Sequence, residues 1–457
     1  MSTIDQPTTM VATTTTAQRI TQWTQIKINL FWFANNFHWI ALISVVIPAQ
    51  VVVYFGNDNK SAYLPLIIVP GTAAAIFVNP FAGAISDYLK SKLGRRRPFM
   101  IAGTIFNVLA LVGFALAGQS LLTSTPTGTG IVVMLLLFLA LQISNNFANS
   151  PWSAIIADQV PAPQRGSASG WYGLMTLLGT IGGFLFAGTV VHLGDPDIKS
   201  GNYLTSGFRA TFAHEILLFY LVLAAVQTIF VVITVLTVQE TPLITQETFH
   251  WRTFAQRFRV EPRKHPDFFW VLFTRLLMLT GIWSINNFLL YYFIDVLKRP
   301  NAAGDLVVFS GIYLSTSIIT TLFGGSFSDR VGRKPLVYLS GVMMTVTCLI
   351  FIVFQTYAAA LLAGAFFGLG FGAYTSVDWA LATDVLPPTD QYGKDMGIWS
   401  AAGILPQVIG VGLGGGILYA LKAIFGNPTI GYSVLFGIVV VLFSMGTLLV
   451  RQVKGAR

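Results

Sequence analysis

The chain has 457 residues, 54% of them hydrophobic and only 10% charged, with a formal net charge of +9. A soluble domain normally carries about 25% charged residues, so this composition excludes an ordinary soluble enzyme. The single cysteine, Cys348, lies in an apolar run and offers neither a disulfide nor a metal site. The surplus basic residues stand in short loops between apolar runs, a placement that sets membrane orientation and does not serve nucleic acid.

Residues 1–27 are Thr-rich and read as a disordered cytoplasmic tail, because the first apolar run starts too late and is too long for a cleavable signal. Six apolar segments follow, over residues 28–54, 63–86, 98–121, 131–157, 168–191 and 212–236. A polar, basic linker spans 239–267, and six more segments cover 268–297, 306–328, 335–355, 358–383, 396–421 and 430–450, before a tail at 451–457. Each segment can cross ~30 Å of hydrocarbon as a helix rising ~1.5 Å per residue, with its backbone polar groups satisfied internally. The expected fold is an all-α integral membrane protein of twelve transmembrane helices. It forms two pseudo-symmetric six-helix bundles, 28–238 and 268–450, as a monomer in the cell membrane.

Charge fixes the expected topology. With both termini in the cytoplasm, the inner side holds 20 Lys and Arg and the outer side six, and only Arg275 falls inside a span.

A signature occurs twice. It reads G-A-I-S-D from Gly83 to Asp87 and G-R-R-R-P from Gly94 through Arg95, Arg96 and Arg97 to Pro98. It returns as G-S-F-S-D-R-V-G-R-K-P from Gly325 through Asp329, Arg330, Gly332, Arg333 and Lys334 to Pro335. Other features repeat with it. Asn35-Asn36-Phe37 in the first segment matches Asn286-Asn287-Phe288 in the seventh. The fourth segment ends at Asp158, with Arg165 beyond it, and the tenth ends at Asp384. Two similar six-helix units around a cleft are one known way to build alternating access.

These motifs resemble the major facilitator superfamily of secondary transporters, over nearly the whole chain. The second hairpin is similar to that superfamily's signature loop. The longer first hairpin, with Asn145-Asn146, Pro151 and Ala154 to Asp158, resembles the sucrose transporters and the wider sugar–cation symporter group. The pattern departs at Ser153, where sucrose carriers place an arginine. The resemblance implies that Asp87, Asp329 and the hairpin bases latch the cytoplasmic side in one cleft state; as plain chemistry, the same charges also serve as topology signals.

Few ionisable residues lie within the segments. Asp378 stands six residues before Asp384, hence ~9 Å deeper in a helix, and Arg275 lies at similar depth in the seventh segment. A charge at membrane depth needs a partner or a water-filled cavity, so the two are expected to pair. The pair is either a permanent structural link or a proton-coupling device. Glu215 and Asp295, nearer the outer ends, are further coupling candidates. Asn35, Asn36, Trp39, Gln142, Asn145, Asn146, Trp283, Asn286, Asn287 and Tyr374 are the candidates for cargo, since amides both donate and accept and indole offers a flat apolar face. The reading is a proton-coupled symporter of a small neutral sugar or glycoside. The alternative is a proton-linked exporter of an amphipathic compound, motivated by aromatic residues and by glycines in the fifth segment. No phosphate-binding G-x-x-x-x-G-K-[ST] loop and no cofactor motif is present.

Overall fold

The computed structural model describes residues 19–123, 128–161, 164–238, 240, 265–385 and 392–454. Among these residues twelve helices are long and apolar enough to cross a bilayer. They are α1 (Gln22–Phe55), α2 (Lys60–Tyr88), α3 (Arg97–Thr123), α4 (Gly128–Gln159), α5 (Arg165–Val190) and α6 (Ser206–Thr237). The second six are α7 (Pro266–Asp295), α8 (Ala302–Val331), α9 (Arg333–Val353), α10 (Tyr357–Asp384), α11 (Tyr392–Phe425) and α12 (Pro428–Leu449).

Several helices start outside their apolar runs because polar residues close their ends. Thr21, Thr205, Asn301 and Asn427 each accept a backbone N–H from the first turn, satisfying donors that have no partner within the helix. α1 therefore begins at Gln22, and residues 22–27 of the expected tail are helical. Its course also contains one π turn, Leu42–Val46. Pro48 follows two residues later and has no N–H to bond back along the helix, the kind of position where helices change hydrogen-bond register. The connection from α5 to α6 holds a short helix, Asp195–Lys199, that hydropathy did not anticipate.

Packing repeats the sequence duplication. In the first six helices, α2 and α3 pack on α4, α5 and α6 pack on α1, and α3 packs on α6. In the second six, α8 and α9 pack on α10, α11 and α12 on α7, and α9 on α12. Between the sets, α2 meets α11, α5 meets α8, and the end of α1 meets α7. Two glycines of α5 serve close packing: a Cβ at Gly179 or Gly183 would collide with the carbonyl oxygen of Phe33 or Phe37 in α1.

Candidate functional site

Polar links clasp the halves at the face remote from the termini. Lys60, at the start of α2, lies 2.6 Å from Asp295 at the end of α7, and the Tyr432 hydroxyl of α12 donates to the same carboxylate at 2.8 Å. Lys60 is only 3% exposed, so this is a buried pair and not a surface one. Tyr291 donates to the Pro48 carbonyl at 3.1 Å, and the Asp195 N–H donates to the Arg299 carbonyl at 2.8 Å. Asp295, expected to be a coupling candidate, thus belongs to this clasp. Glu215 instead meets exposed His192 at 2.9 Å, within the first half.

Below the clasp, toward the termini, α1 and α4 run antiparallel and their register can be read from three contacts. The Trp152 indole N–H donates to the Ile28 carbonyl at 3.0 Å, and its ring stacks on Phe31 and Trp32. Two turns further along each helix stand Asn35 and Asn145. Beyond them Trp39 stacks on Phe138, centroids 6.0 Å apart. The two amides therefore occupy one level between two aromatic layers. Both are 6% exposed, and the Oδ1 of each has no hydrogen-bond partner. A buried polar atom left so costs about 1–3 kcal/mol, a cost that a hydroxyl donor from water or cargo would remove.

The neighbouring amides each donate a hydrogen bond to a nearby group, although Asn287 Oδ1 is itself buried without a partner. Asn79 donates to Asn146 Oδ1 at 3.2 Å, Asn146 donates to Gln142 Oε1 at 3.1 Å, and Gln142 donates to Thr72 Oγ1 at 3.0 Å. This ladder joins α2 to α4. Asn36 and Asn287 donate back to the carbonyls of Trp32 and Trp283, each at 2.9 Å. Half-buried Asn286 makes no hydrogen bond among the described residues, and Trp283 is half-buried beside it. From each paired-Asn motif one amide bonds its own helix and another keeps an open acceptor or stays unbonded.

In the second half, Arg275 of α7 and Asp378 of α10 form an ion pair, their side chains 14% and 18% exposed. The Tyr374 hydroxyl, one turn away on α10, interacts electrostatically with the same carboxylate. Gly403 of α11 brings backbone close to the guanidinium: a Cβ there would stand 3.2 Å from Arg275 Nη2. This buried charge has a partner, a hydroxyl and partial access to solvent, which is what reversible protonation needs.

At the terminal face, the first hairpin is tightly organised. Gly94 turns with φ 92° and Gly332 with φ 102°, conformations that favour glycine. Arg96, 4% exposed, lies 2.6 Å from Asp87 and also donates to Ser86 and to the Gly83 carbonyl. In the second hairpin Arg333 donates to Ser328. Arg96 and Arg333 both stand two residues before the hairpin proline, and both serines stand one residue before the repeated aspartate. Glu240, beyond α6, accepts the backbone N–H groups of Arg96 and Arg97 at 2.8 and 3.4 Å, adding a carboxylate at the N-terminus of α3. Arg95 and Lys334 are half-buried and Arg330 is exposed. The backbones of Asp158, Arg165, Gly325, Asp329 and Asp384 are helical; their side chains lie outside the described residues, as does most of the 239–267 linker.

Sequence reasoning missed Lys60, Ser86, Ser328, Glu240, Asn79 and Thr72. The serines stood at matching places in the duplicated motif, which was a usable signal. Lys60 looked like a loop charge, and its burial depends on the meeting of the halves. Among the described residues no group of His, Cys, Asp and Glu converges as a metal site.

A family model described as "MFS/sugar transport protein" matches residues 60–450, and the chain belongs to that family. A sucrose transport protein of Arabidopsis thaliana is 30% identical over 160 residues, covering 33% of this chain and 26% of that protein. A general alpha-glucoside permease of Schizosaccharomyces pombe is 28% identical over 160 residues, covering 32% and 28%. The matched stretch thus spans only about a quarter of these relatives' length. Among solved structures, a bacterial homologue of the lysosomal transporter Spinster, inward-facing and occupied, superposes with a TM-score of 0.68 at 14% identity, covering 94% and 96% of the two chains. A variant of the nucleoside transporter NupG gives 0.66 at 15%, covering 93% and 99%. The protein is a multi-pass membrane protein of the major facilitator fold.

Proposed function

We propose that this member of the MFS/sugar transport family moves a small neutral sugar or glycoside together with protons, by alternating access, with both termini in the cytoplasm. The observation that carries the reading is the pair of buried amides with open Oδ1 acceptors, Asn35 and Asn145, held between two aromatic layers. An aromatic face suits the C–H face of a sugar ring, and open amide acceptors suit its hydroxyls. Trp39, Trp283 and Asn286 complete the binding set. Gln142, Asn146, Asn36 and Asn287 act by holding helices.

Asp378 is the proton acceptor in this reading, with Arg275 as its counter-charge and Tyr374 as a second partner. Protonation weakens the hold of the carboxyl on Arg275, and the freed guanidinium changes what α7 and α10 can grip. The Lys60–Asp295–Tyr432 clasp is one gate; the two hairpins, with Asp87 on Arg96, form the opposite one. The exporter alternative loses part of its motivation, because two of the α5 glycines, Gly179 and Gly183, are committed to α1. It keeps only the aromatic content of the cleft.

The test is binding of sucrose and simple alpha-glucosides to purified protein, followed by uptake into vesicles. Sugar binding that persists unchanged in Asn35→Ala, Asn145→Ala, Trp39→Ala and Asn286→Ala proteins would remove this site. Binding of lipophilic cations without sugar competition would favour the exporter reading.

A further inference from the structure

The clasp at the remote face encloses a cavity of about 230 Å³ whose wall is drawn from both halves. Lys60, Ser61 and Lys199 come from the first half, Asp295, Lys298 and Lys422 from the second. Four ammonium groups line it against two carboxylates, those of Asp195 and Asp295. Lys60 is committed to Asp295, and Lys199 to Asp195 at 2.8 Å. Lys298 is left 4.0 Å from that same Asp195, and Lys422 donates to the Asp58 backbone carbonyl at 2.9 Å and to its carboxylate, 93% exposed, at 3.1 Å. Water screens an ion pair so exposed. The cavity therefore carries surplus positive charge in a concave space, where low-dielectric walls focus the field.

A second, independent observation lies in the backbone. Lys298 has φ 54°, the only non-glycine residue with positive φ among the described residues. Such conformations persist where the surroundings impose them, and they gather at binding and switch sites. The polar group of Ser61, which is 8% exposed, makes no hydrogen bond among the described residues and borders the same space.

We propose that this cavity binds a small oxyanion, of phosphate or carboxylate type, and that the bound anion holds the halves together at this face. Lys298 and Lys422 supply donors from one half, Ser61 and Lys199 from the other. The full set exists only while the halves are clasped, so the anion favours that state. The ratio of clasped to open protein rises by the factor 1 + [L]/Kd, about elevenfold at ten times Kd. The anion acts as a brake on opening, independently of what the cleft carries.

The experiment uses full-length protein in phosphatidylcholine nanodiscs, without cargo. Spin labels on Leu204→Cys and Phe425→Cys, in a Cys348→Ala background, report separation across the clasp. Sodium phosphate is titrated against sodium chloride at constant pH and ionic strength, and the thermal midpoint is followed in parallel. Phosphate should enrich the short-distance population and raise the midpoint. The Lys298→Gln/Lys422→Gln protein should lose both responses, and the Lys298→Arg/Lys422→Arg protein should keep them. Equal responses in the Gln variant, or no response to phosphate at all in the parent, would overturn the site. In phosphatidylglycerol discs, a short distance already present without phosphate and reversed by the Gln variant assigns the anion to a lipid headgroup. An unchanged phosphate titration there assigns it to a free anion.

Discussion

Where α4 crosses α2, Gln142 and Asn146 tie the helices through side-chain amides; where α10 crosses α8, the equivalent positions are Gly368 and Gly372. Counting back from the paired acids Asp158 and Asp384 sets this equivalence. The glycines let the helices touch directly, with any added Cβ colliding with the carbonyl oxygens of Tyr313 and Ser317. The first crossing is thus held by side-chain amides, the second by close backbone approach, with the Thr321 hydroxyl of α8 donating to the Gly372 carbonyl at 3.2 Å. The same count pairs Trp152 with Asp378. At that level the first half holds an aromatic stack and the second an ion pair. Duplication preserved the packing pattern while the chemistry at matching depths diverged. A polar residue in a membrane helix is therefore informative about cargo or coupling only once its partners are known.

The largest expected effect breaks the ionic side of this contrast. Asp378→Ala takes the carboxylate from beside Arg275, which cannot shed its charge, and should cost about 3–5 kcal/mol, read as lost folded yield and a lower thermal midpoint. Adding Arg275→Met should recover most of that loss. Next is the helix crossing. Gly372→Ala forces backbone apart and should cost about 1–3 kcal/mol, whereas Asn146→Ala at the matching position should cost about 0.6–1.7 kcal/mol. Thermal unfolding of the two variants in one detergent compares them directly; equal losses would contradict the contrast.

Smaller effects separate cargo amides from structural ones. Asn35→Ala and Asn145→Ala should each weaken sugar binding by about 1 kcal/mol, near fivefold, with no loss of thermal stability, because each removes an unsatisfied buried acceptor. Equilibrium binding beside unfolding curves checks both halves of that statement. Smallest of all, Glu215→Gln should change uptake and stability by less than about 0.5 kcal/mol, since its partner His192 is 59% exposed.

The twelve helices were legible because lipid demands long apolar runs with internally satisfied backbone. The duplication was legible as repeated motifs, and the Arg275–Asp378 pair followed from sign and depth. Helix ends such as Gln22 were not, since capping Thr and Asn residues look like loop. Nor could sequence separate Asn145 from Asn146. They are adjacent, yet one carries an open acceptor and the other joins the ladder to α2, a difference set by the rotation of α4. Lys60 shows the same limit in reverse: its burial against Asp295 arises only where distant parts of the chain meet.

The central claim is that Asp378 couples protons to cargo, and its most direct test is proton flux measured beside cargo flux in vesicles reconstituted with Asp378→Asn protein. Asparagine keeps the shape and a hydrogen-bond acceptor for Arg275 but cannot carry a proton. The account predicts that accumulation against a gradient collapses together with proton flux, while exchange of pre-loaded cargo continues. Full proton-coupled accumulation by well-folded Asp378→Asn protein would contradict it.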